Sequence, residues 1–326
     1  MTVAFLSLGI LLLLAGGAGL VSGATRLADR WGLSPALVGL TVVAFGTSAP
    51  ELVVNVIGAL QDQTSLAFGN VAGSNLANLG LVLGFAALIS PVNLQSQLIR
   101  RELALLMLVT SMLAVMVIDL ALSEGDARIS RSDGLILLLM FSTVIYISVG
   151  DLLRSLQDPM VLRAEDLEVA MAPAGTAGAG RDWMLILGGV VGLLAGGQLT
   201  IDYGAQLATM LGVPPVIIGL LVVALGTSMP ELVTSIIAAI RGEADLCVGN
   251  VIGSNLFNIL FVLPISALVR PLPIPSGGLM DVLFSLLLAV AIVIVFLTGR
   301  ARMGRATGTA FILVYLAYMT YRLLSA

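Results

Sequence analysis

GTSAPELV at residues 46–53 returns as GTSMPELV at 226–233, and GNVAGSNLAN at 69–78 returns as GNVIGSNLFN at 249–258. Both pairs are offset by 180 residues, as are Gly39 with Gly219 and the double glycines Gly16–Gly17 with Gly196–Gly197. One offset serving motifs this far apart marks a duplicated chain. Each polar motif also interrupts a stretch that is otherwise hydrocarbon: LVGLTVVAF runs up to the first copy at 37–45, and VNVIGAL follows it at 54–60. A carboxylate, a proline and two hydroxyls in such a place need a physical reason.

The surroundings are those of a membrane. Of 326 residues, 59% are hydrophobic and 10% charged, against about 25% charged in ordinary globular domains, and the mean hydropathy is +1.10. Apolar runs lie near 3–21, 37–60, 66–90, 103–122, 134–150, 183–207, 215–240, 246–269, 279–298 and 307–321. Each is close to the roughly 20 residues that cross a bilayer as a helix. The first run has neither a basic leader nor a small-residue cleavage site, so it reads as a span.

The composition therefore predicts an all-α integral membrane protein with ten transmembrane helices. The repeat offset contains five of these runs, and an odd number reverses the direction in which equivalent helices cross. The two halves, 1–153 and 182–326, are thus predicted to be inverted repeats related by a pseudo-two-fold axis in the membrane plane. Their motif-bearing parts, about 39–80 and 219–260, are expected to meet near the midplane, with helices 2/3 and 7/8 broken there.

Between the halves, residues 154–181 carry Asp158, Glu165, Asp166 and Glu168 and then APAGTAGAG at 172–180. Without the spacing of a calcium-binding loop, this reads as a solvated, flexible linker. All fifteen basic residues are arginine. With the N-terminus outside, eleven fall on inner loops (Arg26, Arg30, Arg100, Arg101, Arg154, Arg163, Arg181, Arg241, Arg300, Arg302, Arg305) and four on outer ones (Arg128, Arg131, Arg270, Arg322). The positive-inside rule then predicts both termini outside and a cytoplasmic linker. The formal net charge of −4 suggests no nucleic-acid partner, and no obligate protein partner is expected. Cys247 is the only cysteine, so no disulfide forms within the chain, and the thiol reads as packing.

Within the motifs, Glu51 and Glu231 lie near the middle of apolar spans, where a charge costs at least about 2.5–3.5 kcal/mol unless it meets a polar cavity or partner. Neither has a basic neighbour in its motif. Pro50 and Pro230 lack the N–H that would bond the carbonyl four residues earlier, at Gly46 and Gly226. A kink is expected, with free carbonyls near Ala44 to Thr47 and Ala224 to Thr227. Thr47, Ser48, Thr227 and Ser228 add hydroxyl oxygens. Carboxylates, hydroxyls and carbonyls without sulfur or imidazole form an all-oxygen set suited to hard cations such as Ca²⁺ or Na⁺. In the second motif a further break is expected at Gly73–Ser74 and Gly253–Ser254, with Ser74 and Asn78 sharing the cavity. Asn70 and Asn75 read equally well as helix-packing amides.

Two carboxylates balance one Ca²⁺ or two Na⁺. A third Na⁺ would add one positive charge and make exchange sensitive to voltage, by about 2.3 kcal/mol per charge per 100 mV.

These paired G-T-S-x-P-E and G-N-V-x-G-S-N motifs resemble the two alpha repeats of prokaryotic sodium/calcium exchangers of the calcium/cation antiporter superfamily, and the resemblance covers essentially the whole chain. It implies an antiporter that exchanges Ca²⁺ for Na⁺ by alternating access; no cofactor is expected, and the absence of lysine with the compact form of the chain suggests a bacterial inner membrane. Glu51 and Glu231 would be ligands shared by Ca²⁺ and Na⁺, and Thr47 and Thr227 would help to hold Ca²⁺ through main-chain oxygens. Ser48, Ser228, Ser74, Ser254 and the carbonyls of Ala44 and Ala224 would complete Na⁺ positions, and Asn78 and Asn258 would occupy the fourth polar position of each repeat.

Where many family members have aspartate, this chain has Asn258, which leaves two central carboxylates and opens the identity of the coupling ion. The resemblance further implies that helices 1 and 6 slide across the rest, with Gly16, Gly17, Gly196 and Gly197 permitting close contact. A Ca²⁺/H⁺ exchanger is the alternative, with protons carried on the glutamates since the chain has no histidine. A passive channel fits the inverted repeat less well. An enzyme lacks its parts: there is no histidine and no phosphate-binding loop.

Overall fold

A computed structural model describes residues 1–93, 97–122, 128–155, 179–212, 224–298 and 302–325. The described residues are almost wholly helical. In chain order they form α1 (Thr2–Trp31), α2 (Pro35–Thr47), α3 (Ala49–Leu60), α4 (Thr64–Leu76), α5 (Leu83–Ile89), α6 (Gln97–Leu122) and α7 (Arg131–Ser155). The second half forms α8 (Ala179–Met210), α9 (Ala224–Thr227), α10 (Met229–Ile240), α11 (Ala244–Phe257), α12 (Leu263–Val269), α13 (Gly278–Thr298) and α14 (Arg305–Ser325).

Seven segments among the described residues are long and apolar enough to cross a membrane, and α2 with α3, bent by 42°, makes an eighth. Of the other two expected spans, α10 is a shorter apolar helix and α14 is 21 residues long. The stretch leading into α9, with Gly219, and most of the expected 154–181 linker lie outside the described residues.

Local signals place the first turn between spans. Gly32 ends α1 in the left-handed conformation (φ 61°), with its N–H on the carbonyl of Ala28. Ser34 then caps α2 through the amide of Leu37 at 3.2 Å, with Pro35 at the first helical position. At the same end of the molecule Arg30 pairs with buried Asp182 at 2.9 Å, beside the Trp31–Trp183 ring pair.

The inverted repeat is visible in how the halves join. Strand β1 (Val92–Asn93) of the first half pairs antiparallel with β4 (Arg302–Met303) of the second, and β2 (Arg128–Ile129) of the first pairs with β3 (Leu272–Pro273) of the second. β1 and β3 occupy equivalent places at the 180-residue offset, so the two short ladders are images of one another.

Helices α1 and α8 run antiparallel with backbones in contact. A Cβ on Gly9 would lie 3.0 Å from the carbonyl of Gly196, one on Gly16 2.7 Å from that of Gly189, and one on Gly23 2.8 Å from that of Asp182. The contacts recur every seven residues, as small residues at a helix crossing do. Of the glycines expected here, Gly16 and Gly196 take part. Gly17 instead faces Val233 and Ile237 of α10, and Gly197 has only Pro230 at 3.9 Å. Gly9, Gly23 and Gly189 do the remaining work.

In the second motif the structure departs from the expectation of breaks at Gly73–Ser74 and Gly253–Ser254. Helices α4 and α11 run through both pairs, and the irregularity comes later, as π turns at Ala77–Val82 and Asn258–Val262. Gly253 serves contact rather than bending: a Cβ there would lie 2.6 Å from the carbonyl of Leu40 in α2. Gly249 meets Ala36 in the same way. These glycines let α11 lie directly on α2, bringing the second motif of one half against the first motif of the other.

Candidate ion-binding site

Each first motif makes its break at serine. Ser48 adopts φ −87°, ψ 6° between α2 and α3, and Ser228 adopts φ −86°, ψ 5° between α9 and α10. Matching angles follow from matching sequence: Pro50 and Pro230 occupy the first turn of α3 and α10 and supply no N–H to the turn before. The freed carbonyl is that of Gly46. That of Ala44 still accepts from the Ser48 amide at 3.0 Å, so the proline's effect is narrower than the expected run of free carbonyls.

The breaks put Glu51 and Glu231 in the first turns of α3 and α10, both with no exposed surface. The positive ends of those helices suit a carboxylate there. Thr47, Ser48, Ser74, Asn78, Thr227, Ser228, Ser254 and Asn258 are likewise buried. Ala44 is buried as well, and Ala224 opens α9.

The bonds cross between halves. Ser48 Oγ donates to Glu231 Oε1 at 2.8 Å, and Thr47 Oγ1 lies 3.4 Å from Ser254 Oγ. Asn258 donates through Nδ2 to Asn75 Oδ1 at 3.1 Å, and Asn75 donates in turn to the carbonyl of Asn255 at 3.5 Å. Asn70, Asn250, Asn55 and Ser235 form a further layer behind the threonines. Asn70 and Asn75 are therefore cross-half amides, a role that sequence reasoning left open. Asn55 and Ser235 it missed, although both lie at the repeat offset and four residues beyond each glutamate.

Eight buried polar atoms of this cluster have no protein partner: both oxygens of Glu51, Oε2 of Glu231, the hydroxyls of Ser74 and Ser228, both amide atoms of Asn78, and Oδ1 of Asn258. At about 1–3 kcal/mol for each unmet group, leaving all of them bare would cost about 8–24 kcal/mol, comparable with or above a whole domain's stability of about 5–15 kcal/mol. Seven of the eight are oxygens, and two residues bear the negative charge. The donor set fits a hard cation as guest.

A separate cavity of about 540 Å³ is lined among others by Phe45, Phe141, Trp183, Val190 and Phe257. Neither Glu51 nor Glu231 lines it, and its lining is mostly apolar apart from Glu102, Thr41 and Ser148.

A duplicated helical membrane fold with an oxygen-rich polar centre is an architecture that secondary transporters of cations use. The chain belongs to the sodium/calcium exchanger protein family, whose model matches residues 1–150 and 182–324. The inner membrane protein YrbG of Escherichia coli is 35% identical over 325 residues, covering 97% of this chain and 96% of its own. The sodium/calcium exchanger MaX1 of Methanosarcina acetivorans is 27% identical over 336 residues, 96% of each chain. Among solved structures, the sodium-calcium exchanger NCX_Mj soaked with Na⁺ and Sr²⁺ matches with a TM-score of 0.81 at 28% identity, over 98% of both chains. Family and fold together make this protein a multi-pass membrane cation antiporter.

Proposed function

We propose that this antiporter exchanges Ca²⁺ for Na⁺ by alternating access at a single midplane site. Glu51 and Glu231 are the shared ligands. Thr47 and Thr227 contribute main-chain oxygens to Ca²⁺. Ser48, Ser74, Ser228 and Ser254, with the carbonyls of Ala44 and Ala224, serve Na⁺, and Asn78 and Asn258 complete the set.

The observation that carries this reading is the pair of fully buried carboxylates among neutral oxygens, with three of their four oxygens unpartnered. Charge balance does the rest: one Ca²⁺ or two Na⁺ neutralises the pair, so either load can cross a dry interior. Movement of α1 with α8 against the remaining helices would alternate the access, and the glycine rungs between those two helices support their moving as one body. In the membrane the termini lie outside, with the two halves at 1–153 and 182–326 joined by a cytoplasmic linker at 154–181.

The test is uptake of Ca²⁺ by proteoliposomes. A Na⁺ gradient directed out of the vesicles is expected to drive uptake, and Glu51→Gln and Glu231→Gln to abolish it. Uptake unchanged in both variants overturns the site.

One observation favours a second reading, exchange against protons. Neither oxygen of Glu51 is bonded, so a proton there would neutralise the buried group as a cation does. Uptake driven by a pH gradient without Na⁺ selects that reading, and its absence selects Na⁺.

A further inference from the structure

We infer that Asn70 and Asn250 are positioning residues for the ion site, each clamping the broken helix of the opposite half through the hydroxyl of its threonine. The inference rests on the reading of the site given above. Asn250, in α11, accepts from Thr47 Oγ1 at 3.1 Å and donates through Nδ2 to Ser235 Oγ of α10 at 3.0 Å. Asn70, in α4, accepts from Thr227 Oγ1 at 3.2 Å and donates to Asn55 Oδ1 of α3 at 2.9 Å. The two arrangements are images of one another at the repeat offset. In each, the amide reaches across to the other half with its oxygen and is oriented by its own half through its nitrogen.

The breaks make such a clamp necessary. The short turns Ala44–Thr47 and Ala224–Thr227 end at a serine outside helical geometry. The proline two residues past that serine withdraws one of the hydrogen bonds that would tie the turn to the following helix. The threonine at the end of each turn is where the ion is to find a main-chain oxygen. A threonine hydroxyl has one proton, and giving it to the asparagine fixes the side chain and with it the turn.

An amide suits this place better than a carboxylate or a hydroxyl. It accepts from the threonine and donates to Asn55 or Ser235 at once, and it brings no further charge beside the ions. Asn55 offers Asn70 an amide where Ser235 offers Asn250 a hydroxyl, which can turn.

Groups that orient metal ligands from behind typically contribute about 10- to 100-fold in metal affinity. Replacing Asn250 or Asn70 by alanine is therefore expected to raise the Ca²⁺ concentration for half-maximal uptake by about that factor. The maximal rate stays within about threefold, because the chemistry of crossing is untouched.

The distinguishing measurement is a pair of double-mutant cycles on the full chain in liposomes. Thr47→Val with Asn250→Ala is expected to be no worse than the poorer single variant, and likewise Thr227→Val with Asn70→Ala. Thr47→Val with Asn70→Ala is expected to multiply the two losses, since those residues belong to different clamps. Unchanged half-saturation in Asn250→Ala, or multiplied losses within either cross-half pair, overturns the inference.

Should an alanine variant fail to fold, Asn250→Ser and Asn70→Ser replace it in the same cycles. Wild-type protein that takes up no Ca²⁺ under any gradient overturns the calcium reading instead. The cycles are then read by Na⁺-induced rises in melting temperature, with the same pattern deciding for or against the clamps.

Discussion

Replacing Glu51 by glutamine preserves the shape of the site and removes half its charge. Glu51 is fully buried and neither of its oxygens has a protein partner, so the loss falls on whatever the carboxylate holds. With Glu231 alone, bound Ca²⁺ leaves one uncompensated positive charge at the membrane centre. Such a charge costs about 2.5–3.5 kcal/mol on insertion scales, and at 1.4 kcal/mol per tenfold this is about 60- to 300-fold weaker Ca²⁺ binding. One Na⁺, by contrast, is still neutralised by Glu231, so the variant loses Ca²⁺ far more than its first Na⁺. A second consequence runs the other way. Without ions, the buried carboxylate of Glu51 has no partner, and glutamine removes the cost of charging it or holding a proton there, so the Glu51→Gln protein melts higher in chelator without Na⁺. Titration of melting temperature with Ca²⁺ and with Na⁺, beside direct Ca²⁺ binding in detergent, reads all three effects. Ca²⁺ affinity less than about threefold weaker than wild type, under 1 kcal/mol, would refute the charge argument, as would equal losses for both ions.

Asn258→Asp restores a third carboxylate and breaks the donation from Asn258 to Asn75. Ca²⁺ exchange is expected to depend more steeply on Na⁺ and to gain voltage sensitivity of about 2.3 kcal/mol per extra charge per 100 mV; Na⁺ titrations at clamped potentials check this. Gly189→Ala places a Cβ 2.6 Å from the backbone nitrogen of Leu20. It should push α1 and α8 apart at a cost of about 1–3 kcal/mol, visible as a lower melting temperature with Ca²⁺ affinity retained. A thiol introduced in the linker by Ala170→Cys, on a Cys247→Ser background, is expected to react with impermeant maleimide only from the cytoplasmic side of oriented vesicles; labelling from outside reverses the topology.

Much of this was legible because a duplicated sequence states each feature twice. The 180-residue offset placed a kink in each GTSxPE motif, paired Glu51 with Glu231, and required the inversion that the β1–β4 and β2–β3 ladders display. The ladders themselves were not legible, since two-residue strands leave no alternation to read. The π turns were hidden for a related reason. Ala77–Val82 and Asn258–Val262 keep ordinary helical residues, and only the register of hydrogen bonds changes. Glycine misled in the second motif because one residue type serves both bending and contact. At Gly253 the neighbouring backbone of Leu40 decides for contact, and that neighbour is more than two hundred positions away. The asparagines stayed ambiguous because an amide that packs helices and one that clamps a site have the same sequence signature. Only the partner distinguishes them, and at Asn250 the partner is Thr47.

A deeper limit lies in the symmetry itself. At the level of sequence, Ser48 and Ser228 are equivalent, as are Asn75 and Asn255, and Asn78 and Asn258. In the structure they are not. Ser48 is bonded to Glu231 while Ser228 and Glu51 stand apart, and Asn258 is bonded to Asn75 while Asn78 and the side-chain oxygen of Asn255 have no protein partner. An inverted repeat opens to one side of the membrane at a time only if its halves adopt different arrangements, which then exchange when the site faces the other way. Identical motifs must therefore be able to make either set of bonds. The sequence can name the residues of the site, but the pairing at any moment belongs to the conformation, because matched motifs carry no difference from which a single pairing could be read.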